Sequence, residues 1–144
     1  MVYKAQISDS AVVAELAAKA WTSASVGDLI EEFKKFLVSE NSATYLYIIC
    51  NTVIGFAQCQ LRRDYVEGTE TSPVGYLEGV YVEPDYRKQG YGKALVNSCE
   101  DWARSKGCTE FASDCELHNT DSLAFHLNSG FKEVNRIICF TKKL

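Results

Sequence analysis

The stretch Val80-Tyr81-Val82-Glu83-Pro84-Asp85-Tyr86-Arg87-Lys88-Gln89-Gly90-Tyr91-Gly92-Lys93 constrains this chain more than any other. Alternating valine and tyrosine predict a strand, Pro84 ends it, and the apolar period after Gly92 predicts a helix. The two glycines then lie where backbone N–H groups have no partner inside the helix. Those free donors and the positive end of the helix dipole make the loop an anion site.

The rest of the chain reads around that strand–loop–helix. Residues 2–7 alternate as a first strand, and Ser8-Asp9-Ser10 offer N-caps for a helix whose Val13, Leu16, Ala17 and Ala20 share a face. Trp21, at the end of this helix, either plugs the core or walls a pocket. Gly27-Asp28 begin a second helix with Leu29, Phe33, Phe36 and Leu37 inward and Glu31, Glu32, Lys34 and Lys35 facing away, so the pair forms an α-hairpin. Residues 44–50 and 53–62 predict an antiparallel pair turning at Asn51-Thr52. Residues 64–73 have no apolar period and form a loop; its Asp64, Glu67 and Glu70 either hold cations or belong to a solvated connection.

Residues 74–82 form the strand that enters the glycine loop, and Gly75 and Gly79 inside it mark a bulge or a close approach. After the loop, Tyr91, Leu95, Cys99 and Trp102 give a helical stripe closed by Lys106-Gly107, and residues 109–114 return as a parallel strand. Asn119-Thr120-Asp121 cap a last helix ending at Ser129-Gly130, and residues 131–142 predict a closing strand or hairpin.

At 144 residues the chain reads as one domain, 1–144, large enough to bury a core without disulfides or a metal. No apolar run approaches a membrane span, and Met-Val-Tyr-Lys lacks a signal-peptide pattern, which predicts a cytoplasmic protein with no membrane partner. A formal net charge of −4 argues against nucleic acid as the main partner and favours a cationic one. Cys50, Cys59, Cys99, Cys108, Cys115 and Cys139 form no C-x-x-C pair and read as reduced, mostly buried thiols. His118 and His126 have only Cys115 near ligand spacing, so no metal site is expected.

Three phosphate-binding patterns compete for the glycine loop. A P-loop requires glycine where Arg87 stands and a magnesium-ligating hydroxyl where Ala94 stands. A dinucleotide fingerprint requires a small residue where Leu95 stands and belongs after the first strand of an alternating chain. The remaining pattern, [RQ]-x-x-G-x-[GA] after a strand, resembles the acetyl-CoA site of the GNAT N-acetyltransferases. The segment Asn119 to Phe131 also resembles that family's N-x-x-A-x-x-x-Y-x-x-x-G-F motif, with Ser122 in place of the alanine and His126 in place of the tyrosine. Within the family, Asp64 to Thr69, Thr71 to Val82, Cys108 to Asp114 and Phe140 to Lys143 resemble the aminoglycoside 6'-N-acetyltransferases.

The resemblance implies a mixed α/β fold, the GNAT acyl-CoA N-acyltransferase fold: a central mixed, largely antiparallel sheet flanked by helices. It implies acetyl-CoA as acetyl donor, with the pyrophosphate on the amides of Gln89, Gly90, Tyr91 and Gly92. Arg87, Lys88 and Lys93 would add charge-assisted contacts, and Asn119 would stand beside the coenzyme. The Val80, Tyr81 and Val82 backbone would pair with the pantetheine arm as a pseudo-strand.

For an amine acceptor the resemblance implies direct attack on the thioester, assisted by a general base. Asp114 is the first base candidate and Glu78 the second; either could instead bind the acceptor's ammonium groups or cap a loop. An N–H in the Gly79-Val80 region would face the oxyanion if that region is bulged. His126 is either the proton donor to the leaving thiolate or a ring packed beneath the coenzyme. The acceptor implied is an aminoglycoside, cationic and carbohydrate. Trp21 and Tyr65 would be flat walls, and Glu67, Glu70, Glu78, Asp114 and Glu116 the acidic lining. Related enzymes carry an acidic residue where Asn135 stands. A polyamine or a protein amine is the alternative acceptor, and a homodimer built partly through residues 136–142 is also implied.

Overall fold

Cys50 and Asn51 both take positive φ, 46° and 63°, and turn the chain between two strands whose last facing residues are Ile49 and Thr52. Two consecutive left-handed residues give the tight hairpin whose twist matches the strands it joins. The turn thus sits one residue earlier than Asn51-Thr52. Around this hairpin the computed structural model, which describes residues 1–144, builds one sheet and four helices. The strands are β1 (Val2–Lys4), β2 (Ser42–Ile49), β3 (Thr52–Arg62), β4 (Val74–Val82) and β5 (Phe111–Ser113). The helices are α1 (Ser10–Ala20), α2 (Val26–Val38), α3 (Tyr91–Ser105) and α4 (Thr120–Asn128).

The strands lie in sequence order, antiparallel except for the parallel pair β4–β5. The expected mixed, largely antiparallel sheet flanked by helices is what forms. Caps fix the helix starts: Ser25 Oγ accepts from Asp28 N at 3.1 Å, and Asn119 Oδ1 accepts from Ser122 N at 3.0 Å. Gly107 (φ 86°) follows α3, where only glycine is unstrained.

Each sheet face buries its own core. On one face α3 packs Leu95, Val96, Cys99, Trp102 and Ala103 onto Ala57, Cys59 and Leu77. On the other, Val13, Leu16 and Ala17 of α1 and Leu29 and Phe33 of α2 cover Leu46 and Phe56. Side chains of this size contribute roughly 1.5–3 kcal/mol each when fully buried.

The β3–β4 ladder jumps from Gln58↔Gly79 to Cys59↔Leu77, leaving Glu78 as an extra residue in β4. This is the bulge that Gly79 foreshadowed. A side chain at Gly79 would collide with the Trp21 ring, so the glycine also admits that indole against the sheet.

Two further expectations are corrected. Residues 131–144 form no strand or hairpin: Val134, Ile137, Ile138 and Phe140 are all exposed. β5 is only three residues long and the tail pairs with no strand of its own chain, so its β-prone residues have no ladder to join. The thiols are not mostly buried either. Cys59, Cys99 and Cys108 are, whereas Cys50 sits in the hairpin turn, Cys115 follows β5 and Cys139 lies in the tail, all three exposed.

Candidate active site

β4 and β5 pair only through Gly75↔Phe111, Tyr76↔Ala112 and Leu77↔Ser113. Beyond Leu77 the two strands part, and Glu78–Val82 keep a free edge on that side. An extended arm can add to such an edge by backbone hydrogen bonds. Val80, Tyr81 and Val82 lie on this open stretch.

The chain then turns into the glycine loop. Lys88 (φ 60°) and Gly90 (φ 87°) are left-handed, and Gly90 directly precedes the 15-residue α3. Alternation of this kind turns successive N–H groups toward one concavity. A Cβ added at Gly90 meets nothing within 4 Å, so the space over the loop is open for an anion. Lys88 and Lys93 are exposed beside it. Arg87 is differently placed: its Nε donates to Val82 O at 2.8 Å and its guanidinium lies 5.3 Å from the Tyr81 ring centroid. It braces the strand-to-loop corner. Asn119 spends its side-chain oxygen on the α4 cap.

On the α1/α2 side of the sheet, a cavity of about 340 Å³ is lined by Trp21, Ala24, Leu29, Glu32, Phe36, Gln58, Gln60 and Glu78. Trp21 stacks on Phe33 at 6.2 Å and meets Phe56 edge-on at 5.9 Å. It therefore serves both core and pocket wall. Glu32, read from the helix stripe as facing away, lines the cavity. The reason is helical spacing: Glu32 falls on the same face of α2 as Leu29 and Phe36, which line the cavity with it.

Glu78 is not free. Arg62 donates from Nε to its Oε1 at 3.0 Å, and from Nη2 to Oε1 and Oε2 at 2.9 Å each. The same guanidinium lies 3.4 Å from the Tyr76 ring centroid. Tyr76 OH in turn donates to Asp114 Oδ2. Burial first, then the Asp114 hydrogen bond, pushes the Tyr76 phenol well above its usual range. The two base candidates are thus the ends of one chain, Glu78–Arg62–Tyr76–Asp114.

His126 of α4 reaches the point where the strands part. Its Nδ1 lies 2.7 Å from Ser122 O, a carbonyl that only accepts, so Nδ1 carries the hydrogen. Nε2 lies 2.8 Å from Ser113 Oγ, which also sits 3.1 Å from Leu77 O. One hydroxyl hydrogen serves either a neutral imidazole or the carbonyl, and in the second case the ring is protonated at both nitrogens.

The remaining acceptor-side candidates stand apart. Tyr65 is 81% exposed and donates to Glu67 Oε2 at 2.9 Å, which raises the phenol's pKa. Glu67 Oε1 also accepts from Asn135 Nδ2 at 3.2 Å. Glu116 is exposed, and neither it nor Glu67 or Glu70 lines the cavity. Sequence reading missed Arg62, Tyr76, Gln58, Gln60 and Ser113. A signal existed for three of these. Alternation from Phe56 puts Gln58, Gln60 and Arg62 on one strand face, and a polar row inside an otherwise apolar strand marks a wet site.

Residues 11–131 match the family model described as acetyltransferase (GNAT) family. The aminoglycoside N(6')-acetyltransferase type 1 of Stenotrophomonas maltophilia is 38% identical over 144 residues, 99% of this chain and 93% of the relative. Among solved structures, AAC(6')-Iy in complex with the bisubstrate analog CoA-S-monomethyl-acetylneamine is similar with a TM-score of 0.95 and 30% identity, covering 100% of this chain and 98% of that one. The aminoglycoside antibiotic 6'-N-acetyltransferase AAC(6')-Ih from Acinetobacter baumannii is similar with a TM-score of 0.92 and 33% identity, with coverage of 100% and 98%.

Proposed function

The chain belongs to the acetyltransferase (GNAT) family, and from that premise we propose that it is an aminoglycoside 6'-N-acetyltransferase using acetyl-CoA as the donor. One observation carries the choice of acceptor. A cavity walled by Trp21 and carrying the carboxylates of Glu32 and Glu78 opens on the strand where β4 leaves β5, next to the free edge that suits a pantetheine arm.

The residues fit the donor. The left-handed Lys88 and Gly90, the open space above Gly90 and the start of α3 form a cradle for a diphosphate, with Lys88 and Lys93 as countercharges and Gln89, Tyr91 and Gly92 supplying further backbone. When bound, acetyl-CoA supplies the acetyl thioester. The chain's own groups do the rest. Glu32 and Glu78 draw in ammonium groups, and Trp21 offers an apolar face to a sugar ring. Asp114 takes the proton of the attacking amine, directly or through water; its hydrogen bond from Tyr76 fixes the carboxylate's orientation. Glu78, held by Arg62, serves binding. His126, acting through Ser113 at the strand fork, returns a proton toward the leaving thiolate. Tyr65 and Glu67, joined by their hydrogen bond outside the cavity, are left to meet the rest of a polycationic drug.

The tail supports a homodimer in the same reading. Its exposed Ile137, Ile138 and Phe140 are β-prone and have no partner in their own chain, and a second copy's sheet edge would provide one. No helix is long and apolar enough to cross a membrane. With acetyl-CoA as donor, the proposed location is the cytoplasm.

The test is a mass-spectrometric assay with acetyl-CoA across an aminoglycoside panel, spermidine and a lysine peptide, assigning the acetylated position. Acetylation at the 6'-amine is expected. Turnover of spermidine or the peptide with no aminoglycoside product would overturn the proposal.

A further inference from the structure

Gln58 is 2% exposed, yet its carboxamide nitrogen has no hydrogen-bond partner anywhere in the molecule. Buried polar groups are almost always paired, so an orphan on a cavity wall marks a partner that arrives from outside. Gln58 is on such a wall, in the cavity shared with Trp21, Glu32 and Glu78. Its rung across the sheet is Thr44–Gln58–Gly79, and Thr44 Oγ1 is the other unpartnered buried side-chain atom. Both orphans therefore occur side by side, on the rung where the Glu78 bulge begins.

The chemistry of the lining narrows the partner. Glu32 and Glu78 only accept hydrogen bonds, so they suit an ammonium, which only donates. The Gln58 N–H is a donor and needs an acceptor that an ammonium cannot supply. A ligand that completes this wall must carry a cationic nitrogen and a neutral oxygen on the same small frame, flat enough to lie on Trp21. An amino sugar has all three properties. A polyamine contains no oxygen and would leave the Gln58 nitrogen unpaired, at the cost that makes such sites discriminate against ligands lacking the matching group.

We infer that Gln58 is a specificity-determining residue of the acceptor site, its carboxamide donating to a ring or hydroxyl oxygen of the aminosugar that carries the reacting amine. This rests on the aminoglycoside reading of the preceding subsection and names the group by which that site tells an amino sugar from an aliphatic amine.

The experiment measures calorimetric Kd values for neamine and for spermidine, with the wild-type protein, Gln58→Met and Gln58→Leu, together with acetyl-CoA affinity and Tm. Met keeps the length of the side chain and removes its polar end. Neamine binding is expected to weaken about tenfold in both variants, the value of one lost hydrogen bond. Spermidine and acetyl-CoA are expected to stay within about twofold, and Tm to hold or rise because an unpaired buried amide has been removed. Unchanged neamine affinity would overturn the inference. So would equal weakening of neamine and spermidine, or a fall in Tm with it, because the amide would then be structural and paired through a buried water. A wild-type protein that binds spermidine but no neamine would instead overturn the aminoglycoside reading, and this inference with it.

Discussion

Removing Arg62 tests how the acceptor site is charged. The Arg62 side chain is 40% exposed and that of Glu78 18%, so their pair stands between two regimes. Exposed pairs contribute about 0–1 kcal/mol, whereas breaking a buried one costs about 3–5 kcal/mol because a charge is stranded. Bidentate geometry and the contact with the Tyr76 face place Arg62→Ala near 2 kcal/mol, already discounted for the solvent at the guanidinium. For a chain of this size that corresponds to a fall in Tm of roughly 6 °C. A cycle with Glu78→Gln isolates the pair, and a coupling of about 1 kcal/mol is expected. Function moves the other way: Glu78, released from its countercharge, holds an ammonium more tightly, and KM for a polycationic acceptor falls about threefold. The assays are thermal melts in low and high salt and steady-state kinetics. The exposed pair Arg104–Asp101, at 2.7 Å on α3, serves as the salt-sensitive control. Zero coupling, with an unchanged Tm and an unchanged KM, would refute the reasoning.

Other outcomes follow from the same geometry. Asp114→Ala should lower kcat at neutral pH about a hundredfold while acetyl-CoA affinity is kept, measured by steady-state kinetics and calorimetry; an unaltered rate removes Asp114 from the base role. Gly90→Val, at φ 87°, should cost about 1–2 kcal/mol of stability and weaken acetyl-CoA binding by calorimetry, since the added side chain projects into the open anion space. Tyr45 is pushed up to about 12 by burial, from an ordinary value of 10.0, and Tyr76 is raised too. Folded-state values above the unfolded value mean full stability below about pH 10 and loss as pH rises beyond it, so Tyr45→Phe should flatten the alkaline limb of a Tm–pH curve. Deleting residues 136–144 should convert the proposed dimer to monomer in light scattering.

Local signals were legible and long-range pairings were not. The boundaries of β4, the cap at Asn119 and the glycine loop at Gly90 follow from residues within a few positions of one another, whereas the cap at Ser25 was passed over for Gly27-Asp28. Gly79 announced the bulge and Trp21 could be placed at a helix end, but the contact between them was not readable. The Arg62–Glu78 pair was not readable, because it joins residues 16 apart through a register that the bulge itself sets. Glu32 misled because its charge was weighed above its spacing, which sets it on the helix face of Leu29 and Phe36. The tail misled for the opposite reason: residues 131–142 have strand-forming side chains, but a strand is a property of two segments and the chain supplies only one.

The extra residue at Glu78 acts as a frame shift within a strand. In a regular strand, side-chain alternation would group Leu77 with Gly79 and Tyr81; with Glu78 bulged out of the ladder, Leu77, Val80 and Val82 share the α3 core while Tyr81 packs on the α1/α2 core. Upstream of Glu78 and downstream of it, β4 is written in two different parities. The length of this strand is therefore under a stricter constraint than its composition. A conservative substitution in 79–82 changes one side chain, but deleting a single residue there either removes the bulge or exchanges the faces of the residues beyond it. Chimeras that transplant acceptor specificity between such enzymes must keep that count intact.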